Sequence, residues 1–173
     1  MKNFIMFILI IALSSCSKPV EPYIDPITVN GINGEVLWNR ITQESSYKSY
    51  SFWPGHEDLQ PGQSPHGTYH KIYINNVLAD ILPVSTNIAP QGTVIVKENY
   101  NSDKILDAIT VMVKVRDYNP DGGDWFWAKY STEGEILAEG TPGSCIACHQ
   151  GMEANDYIIV RPLDLENGLK PDS

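Results

Sequence analysis

A chain of 173 residues with 42% hydrophobic side chains is long enough to fold as one domain with a real core and too short for two large ones. Its formal charge of −9 disfavours nucleic acid or an anionic lipid surface as a partner held by charge, while a basic redox partner protein remains compatible. Four Trp and nine Tyr suit packing against a flat apolar cofactor, and equally an ordinary β-rich core.

The N-terminus carries a short basic start, Met1-Lys2-Asn3, and an apolar run from Phe4 to Leu13. Ten apolar residues fall short of a permanent membrane span, and Leu13-Ser14-Ser15-Cys16 resembles a bacterial lipobox. Residues 1–15 are therefore expected to be a lipoprotein signal peptide and Cys16 the site of lipid attachment. Residues 16–34, in which Ser17-Lys18-Pro19-Val20-Glu21-Pro22 follows Cys16, read as a tether. Cleavage before Cys16 leaves 158 residues and, with Lys2 gone, a charge of −10. The chain is expected outside the cytoplasm, anchored to a membrane by lipid. Ser17, in place of an aspartate, leans toward the outer membrane facing the periplasm.

From residue 35 onward the pattern is one domain, 35–173. Leu37, Trp38 and Ile41 mark an amphipathic helix over about Glu35 to Ser46. Recurring Pro and Gly make Trp53 to Gly67 a long loop. Thr68 to Asn75 alternates as a strand, with His70, Ile72 and Ile74 on one face and Tyr69, Lys71 and Tyr73 on the other. Thr93 to Glu98 follows as a strand after the Pro90-Gln91-Gly92 turn. Ile109, Val111, Val113 and Val115 form the apolar face of a longer strand that carries Lys114 and Arg116 outward. Asn119 to Gly123 turns that strand into Asp124 to Ser131, and Thr132-Glu133-Gly134 leads into a short strand through Ala138. A last strand is expected over Tyr157 to Val160. The fold class is mainly β: an antiparallel sheet with few helices and a C-terminal haem loop.

That loop holds Cys145-Ile146-Ala147-Cys148-His149, the Cys-x-x-Cys-His pattern of covalent haem c attachment. Two thiols reach the vinyl groups of one porphyrin edge, and the next side chain points at the iron. A redox dithiol would want a βαβ context, which Gly140-Thr141-Pro142-Gly143 does not supply. A structural zinc site would want a fourth ligand, and Cys16, the remaining cysteine, belongs to the lipobox. Both the haem motif and the signal peptide imply maturation outside the cytoplasm.

The position of the motif matters as much as its presence. In the common small helical cytochromes it lies near the N-terminus, with a methionine later as second axial ligand. Here it follows the strands, Met152 is three residues beyond His149, and Met112 sits mid-strand. An iron with an open distal position is expected.

The chain resembles the cytochrome P-460 family, together with its relative cytochrome c′-beta. The matching residues are His66-Gly67 leading into Tyr69 to Asn75, Pro90 to Glu98, and Val111-Met112-Val113-Lys114. Gly123 to Tyr130, the Cys145 to His149 motif and Asp156-Tyr157 complete the match. The resemblance implies an antiparallel β fold, a homodimer and one haem per chain, with Cys145 and Cys148 as thioether links and His149 as the proximal iron ligand. It also implies that Lys97 matches the lysine that, in the P-460 members, adds a further covalent bond to the porphyrin. Those members oxidise hydroxylamine at the open position; cytochrome c′-beta binds nitric oxide there behind an apolar, aromatic cap. Plain electron transfer is a third reading.

Lys97 separates these functions, and its residues allow two readings. Alternation groups it with Thr93 and Ile95, opposite Val94, Val96 and Glu98, so it either meets solvent or lies against a haem covering the outer face of the sheet. His70 and Phe52 are candidates for the distal pocket, Phe52 together with Trp53 as an aromatic cap; a core or surface histidine and plain packing are the alternatives. Trp125 and Trp127 share a face and are expected in the core or a dimer contact.

Overall fold

The computed structural model describes residues 31–84 and 86–160. Residues 1–30 hold the expected signal peptide, Cys16 and most of the tether, and lie outside the described part, as does the chain from 161 onward. Asn33 caps the first helix, α1 (Gly34–Asn39), its side chain accepting from the Val36 N–H at 2.9 Å. The helix widens into a π-type turn at Arg40–Glu44, so nearly all of the expected amphipathic stretch is helical. Leu37 and Ile41, one turn apart, are fully buried.

Among the described residues seven strands form one antiparallel sheet. They are β1 (Ser51–Phe52), β2 (Gln60–Pro61), β3 (Tyr69–Ile74), β4 (Val94–Tyr100), β5 (Leu106–Lys114), β6 (Trp125–Tyr130) and β7 (Ile136–Gly140). A short helix, α2 (Asn76–Ala79), follows β3. The order is β1-β3-β4-β5-β6-β7, with β2 also paired to β3, so β4 lies in the interior. Its Lys97 stands opposite Ile72 on one side and Thr110 on the other.

Alternation then sorts the side chains onto two covered faces. On the first, Val94, Val96, Val111, Val113, Phe126 and Ala128 pack with Leu37 and Ile41 of α1. On the second, Ile72, Ile74, Ile95, Met112, Trp125 and Trp127 meet Trp53, Leu78, Tyr157 and Ile158. Trp125 and Trp127 are thus core residues of the second face. Burial of each such side chain contributes about 1.5–3 kcal/mol.

Covering of both faces overturns two local expectations. Lys114 does point away from the Val111 and Val113 face, but only 4% of it is exposed, because residues after the last helix fold over it and present Asp156. Tyr157 to Val160 is not a strand: Asp156 and Tyr157 adopt left-handed conformations, with φ of 54° and 64°, which interrupt any extended run.

The first face holds a polar centre of its own. Glu98 is fully buried and accepts from the hydroxyls of Tyr47 (2.8 Å), Tyr73 (3.0 Å) and Tyr100 (2.8 Å), and from Lys48 Nζ. Burial alone would raise its pKa, but the hydrogen bonds from Lys48, Tyr100 and Tyr47 prevail and lower it. A carboxylate held below its unfolded value, about 4.3, stabilises the fold above that pH and stops doing so as pH falls through the folded value. Glu98→Gln is expected to cost about 2 kcal/mol at pH 7. The difference from wild type should shrink as the pH falls below 4, as read by urea unfolding from pH 3 to 7.

Candidate haem site

The Cys-x-x-Cys-His residues form helix α3 (Gly143–His149). Pro142 starts it from outside, its carbonyl accepting from the Cys145 N–H at 3.0 Å and the Ile146 N–H at 3.2 Å. The helical turn therefore begins before Cys145. Cys145 is half-buried, packing with Ile146 against the second-face core, and Cys148 is exposed; both are free thiols. Burial pushes the Cys145 thiol up, opposite to the depressed value that activates a redox dithiol. Among the described residues no group of three or more His, Cys, Asp or Glu converges as a metal-ion cage.

His149 ends α3, and its Nδ1 lies 2.7 Å from the Tyr157 carbonyl oxygen. A carbonyl only accepts, so Nδ1 carries the proton and Nε2 presents its lone pair. Trp127 stands edge-on to the ring, with centroids 4.7 Å apart. Burial, opposed by the Tyr157 hydrogen bond and assisted by the nearby Lys97 charge, lowers the His149 pKa and favours the neutral, ligating form.

Around it lies a polar patch on the second face. His70, Lys97, Asn99 and Thr110 come from neighbouring strands: His70 pairs with Asn99, and Lys97 with Thr110. The loop before β3 brings His66 to 6.2 Å from the His149 ring, centroid to centroid. His56 lies against His70, Nδ1 to Nε2 at 3.2 Å. Burial and then Lys97 push His66 and His70 down to about 4, leaving both neutral at pH 7. Lys97 is half-buried, and desolvation lowers it to about 8.

Of the residues singled out in the sequence, Cys145, Cys148, His149, Lys97 and His70 thus lie on this side of the sheet. Phe52 does not: it stacks on Tyr73 at 4.8 Å and packs with the first-face core. The reason is pairing, since Phe52 stands opposite Tyr73 in the β1–β3 ladder, and opposed residues share a face. Glu98 lies on the first face too, as alternation implied. His66 and His56 were missed as site residues. Both are loop residues, to which no periodicity assigns a direction.

The arrangement fits a large, partly polar cofactor. His70 Nδ1 and Trp127 Nε1 are buried without a hydrogen-bond partner among the described residues, and the His66 and Asn99 side chains meet only each other, outside good hydrogen-bond geometry. An orphaned buried group costs about 1–3 kcal/mol, and these four side chains share one side of the sheet with the two thiols and the His149 Nε2 lone pair. Apolar Ile95, Met112 and Trp127 complete a surface suited to a porphyrin.

A family model described as Cytochrome P460 matches residues 45–160, well over half of the chain and the whole of this site. No curated protein matches the chain.

In the haem-free chain, Lys97 should react with amine-directed acylating reagents with a midpoint near pH 8. Roughly a tenth of its amines are then neutral at pH 7, against well under a thousandth for an ordinary lysine. Peptide mass spectrometry after pulse labelling reads this directly; a midpoint at the ordinary lysine value would contradict the buried placement.

Proposed function

The chain belongs to the cytochrome P460 family and is a c-type haem protein, and on that premise we propose that it oxidises hydroxylamine at an open iron site outside the cytoplasm. In this reading Cys145 and Cys148 hold the haem by two thioether bonds, and His149 binds its iron through Nε2. Bound there, the haem supplies one open coordination position for a small nitrogen ligand and an acceptor for its electrons.

The observation that carries the reading is the gathering of Lys97, His66 and His70 on the face that α3 closes, with both imidazoles neutral and the lysine pKa lowered. Oxidation of hydroxylamine breaks N–H and O–H bonds, and each proton released needs an acceptor. Neutral imidazoles near pH 7 are such acceptors. The lowered Lys97 pKa also supports the family's additional porphyrin bond to the extent that this bond requires a free amine. Passive nitric oxide capture would need only His149 and an apolar cap; of the two aromatic cap candidates Phe52 lies on the far face and Trp53 on this one.

A redox partner protein takes the electrons, and the acidic chain suits a basic one. The lipid on Cys16 keeps the protein at a membrane, the outer one given Ser17, and the protein works as a homodimer. Among the described residues no helix is long and apolar enough to cross a membrane.

Optical spectroscopy of the purified holoprotein tests the reading. A strongly red-shifted ferrous Soret band is expected, with a haem-bearing peptide that includes Lys97 by mass. An ordinary high-spin spectrum with Lys97 unmodified would leave nitric oxide binding as the function, and a low-spin spectrum in both redox states would sink every open-site reading. The Cys145→Ala/Cys148→Ala double variant should lose all covalently retained haem on acid–acetone extraction, and retention at wild-type level would refute the thioether assignment.

A further inference from the structure

The pair Asp156-Tyr157 sits outside the haem-binding motif, yet its fixation is unusually complete. Lys114 and Asp156 are 4% and 6% exposed, and Lys114 Nζ donates to Asp156 Oδ1 at 2.5 Å and Oδ2 at 2.7 Å. Oδ2 also accepts from the Ala89 N–H at 2.8 Å, and the Asp156 carbonyl accepts from Trp125 Nε1 at 2.9 Å. The Tyr157 hydroxyl donates to the Asp121 carbonyl at 3.0 Å. Gly123 makes room: a Cβ there would lie 3.0 Å from Asp156 Oδ1 and from the Tyr157 ring. Both residues keep left-handed backbones that L side chains disfavour, so the surroundings impose the turn.

This turn delivers one group to the haem site, the Tyr157 carbonyl, 2.7 Å from His149 Nδ1. We propose that the buried Lys114–Asp156 ion pair is a positioning device for the proximal histidine: it locks the turn so that the Tyr157 carbonyl keeps its hydrogen bond and sets how strongly His149 donates to iron. The proposal rests on the reading of His149 as the iron ligand. A buried ion pair is a poor stabiliser compared with apolar packing of the same volume, so stability alone does not account for it. A well-placed acceptor on the far nitrogen gives the imidazole more anionic character, strengthens its bond to iron and favours the ferric state.

The test uses holoprotein carrying Asp156→Asn, which retains shape and removes the charge. Resonance Raman of the ferrous state should show the iron–histidine stretch moved to lower frequency. The ferric/ferrous equilibrium should shift up to tenfold toward ferrous, which is about 59 mV for one electron. Val111→Ala, in the first-face core, serves as the stability control: it should lower the unfolding midpoint and leave band and potential unchanged. An unmoved band in Asp156→Asn, or an equal shift in Val111→Ala, overturns the proposal. If Asp156→Asn yields no holoprotein, the Lys114→Met/Asp156→Asn variant, which leaves no unpaired buried charge, takes its place with the same expectations. In the unsubstituted protein the His149 Nδ1 proton should exchange with D2O over hours, and exchange within minutes also overturns the proposal. A five-coordinate wild-type ferrous protein with no iron–histidine band overturns the His149 assignment itself, and the proposal with it; in a six-coordinate one the potential and the proton exchange decide.

Discussion

The site depends on the two-residue period of β4. Successive side chains of an interior strand must enter opposite faces, and here both faces are covered, so Lys97 and Glu98 are neighbours in sequence and strangers in environment. Glu98 meets three tyrosine hydroxyls and Lys48 and keeps its charge; Lys97 meets histidines and apolar surface, and its charge is disfavoured. A slip of one residue in the β3–β4 or β4–β5 register would exchange the two and abolish both arrangements. Register is held by the valines of β4 and β5, which fit only the face that α1 covers.

Much of this was legible in the sequence, because the signals were periodic. Alternation placed His70 with Ile72 and Ile74, grouped Lys97 with Thr93 and Ile95, and separated Glu98 from Lys97. The helix near Leu37 and Ile41 followed from 3.6-residue spacing. What failed was whatever depended on a third layer. Lys114 reads as a solvent-facing strand lysine until a distant Asp156 arrives above it, and nothing local announces that arrival. Tyr157 to Val160 has strand composition, yet two left-handed residues and the anchors from Trp125 and Ala89 determine its path. Phe52 was misjudged by its proximity in sequence to the long loop, when cross-strand pairing with Tyr73 decides its face. His66 carried only its place in a family-like segment, with no periodicity to aim it.

The proximal and opposite sides of the site are built by different means. α3 is short, exposed over much of its surface and carries the attachment residues in consecutive order, so its chemistry is readable from five letters. Its orientation is not: the His149 ring is fixed by Trp127 from β6 and by the Tyr157 carbonyl, both contributed by other parts of the chain. The patch of Lys97, His66 and His70 relies instead on the sheet, whose hydrogen-bonded ladder fixes two of its three members within one register.

The energetic state of the haem-free chain follows from the same layout. His70 Nδ1 and Trp127 Nε1 lack partners among the described residues, and each such group costs about 1–3 kcal/mol until something satisfies it. The first face, with its valine core and satisfied Glu98, carries no such burden and holds the sheet together. Haem attachment therefore acts on a framework whose first face is complete and whose second face is not. A haem tethered by thioethers stays on the unfolded chain as well, so what adds to the stability of β3 to β6 is the set of contacts it makes with the folded second face alone. Folding of the sheet and loading of the site are in this way thermodynamically linked through the side chains of one face.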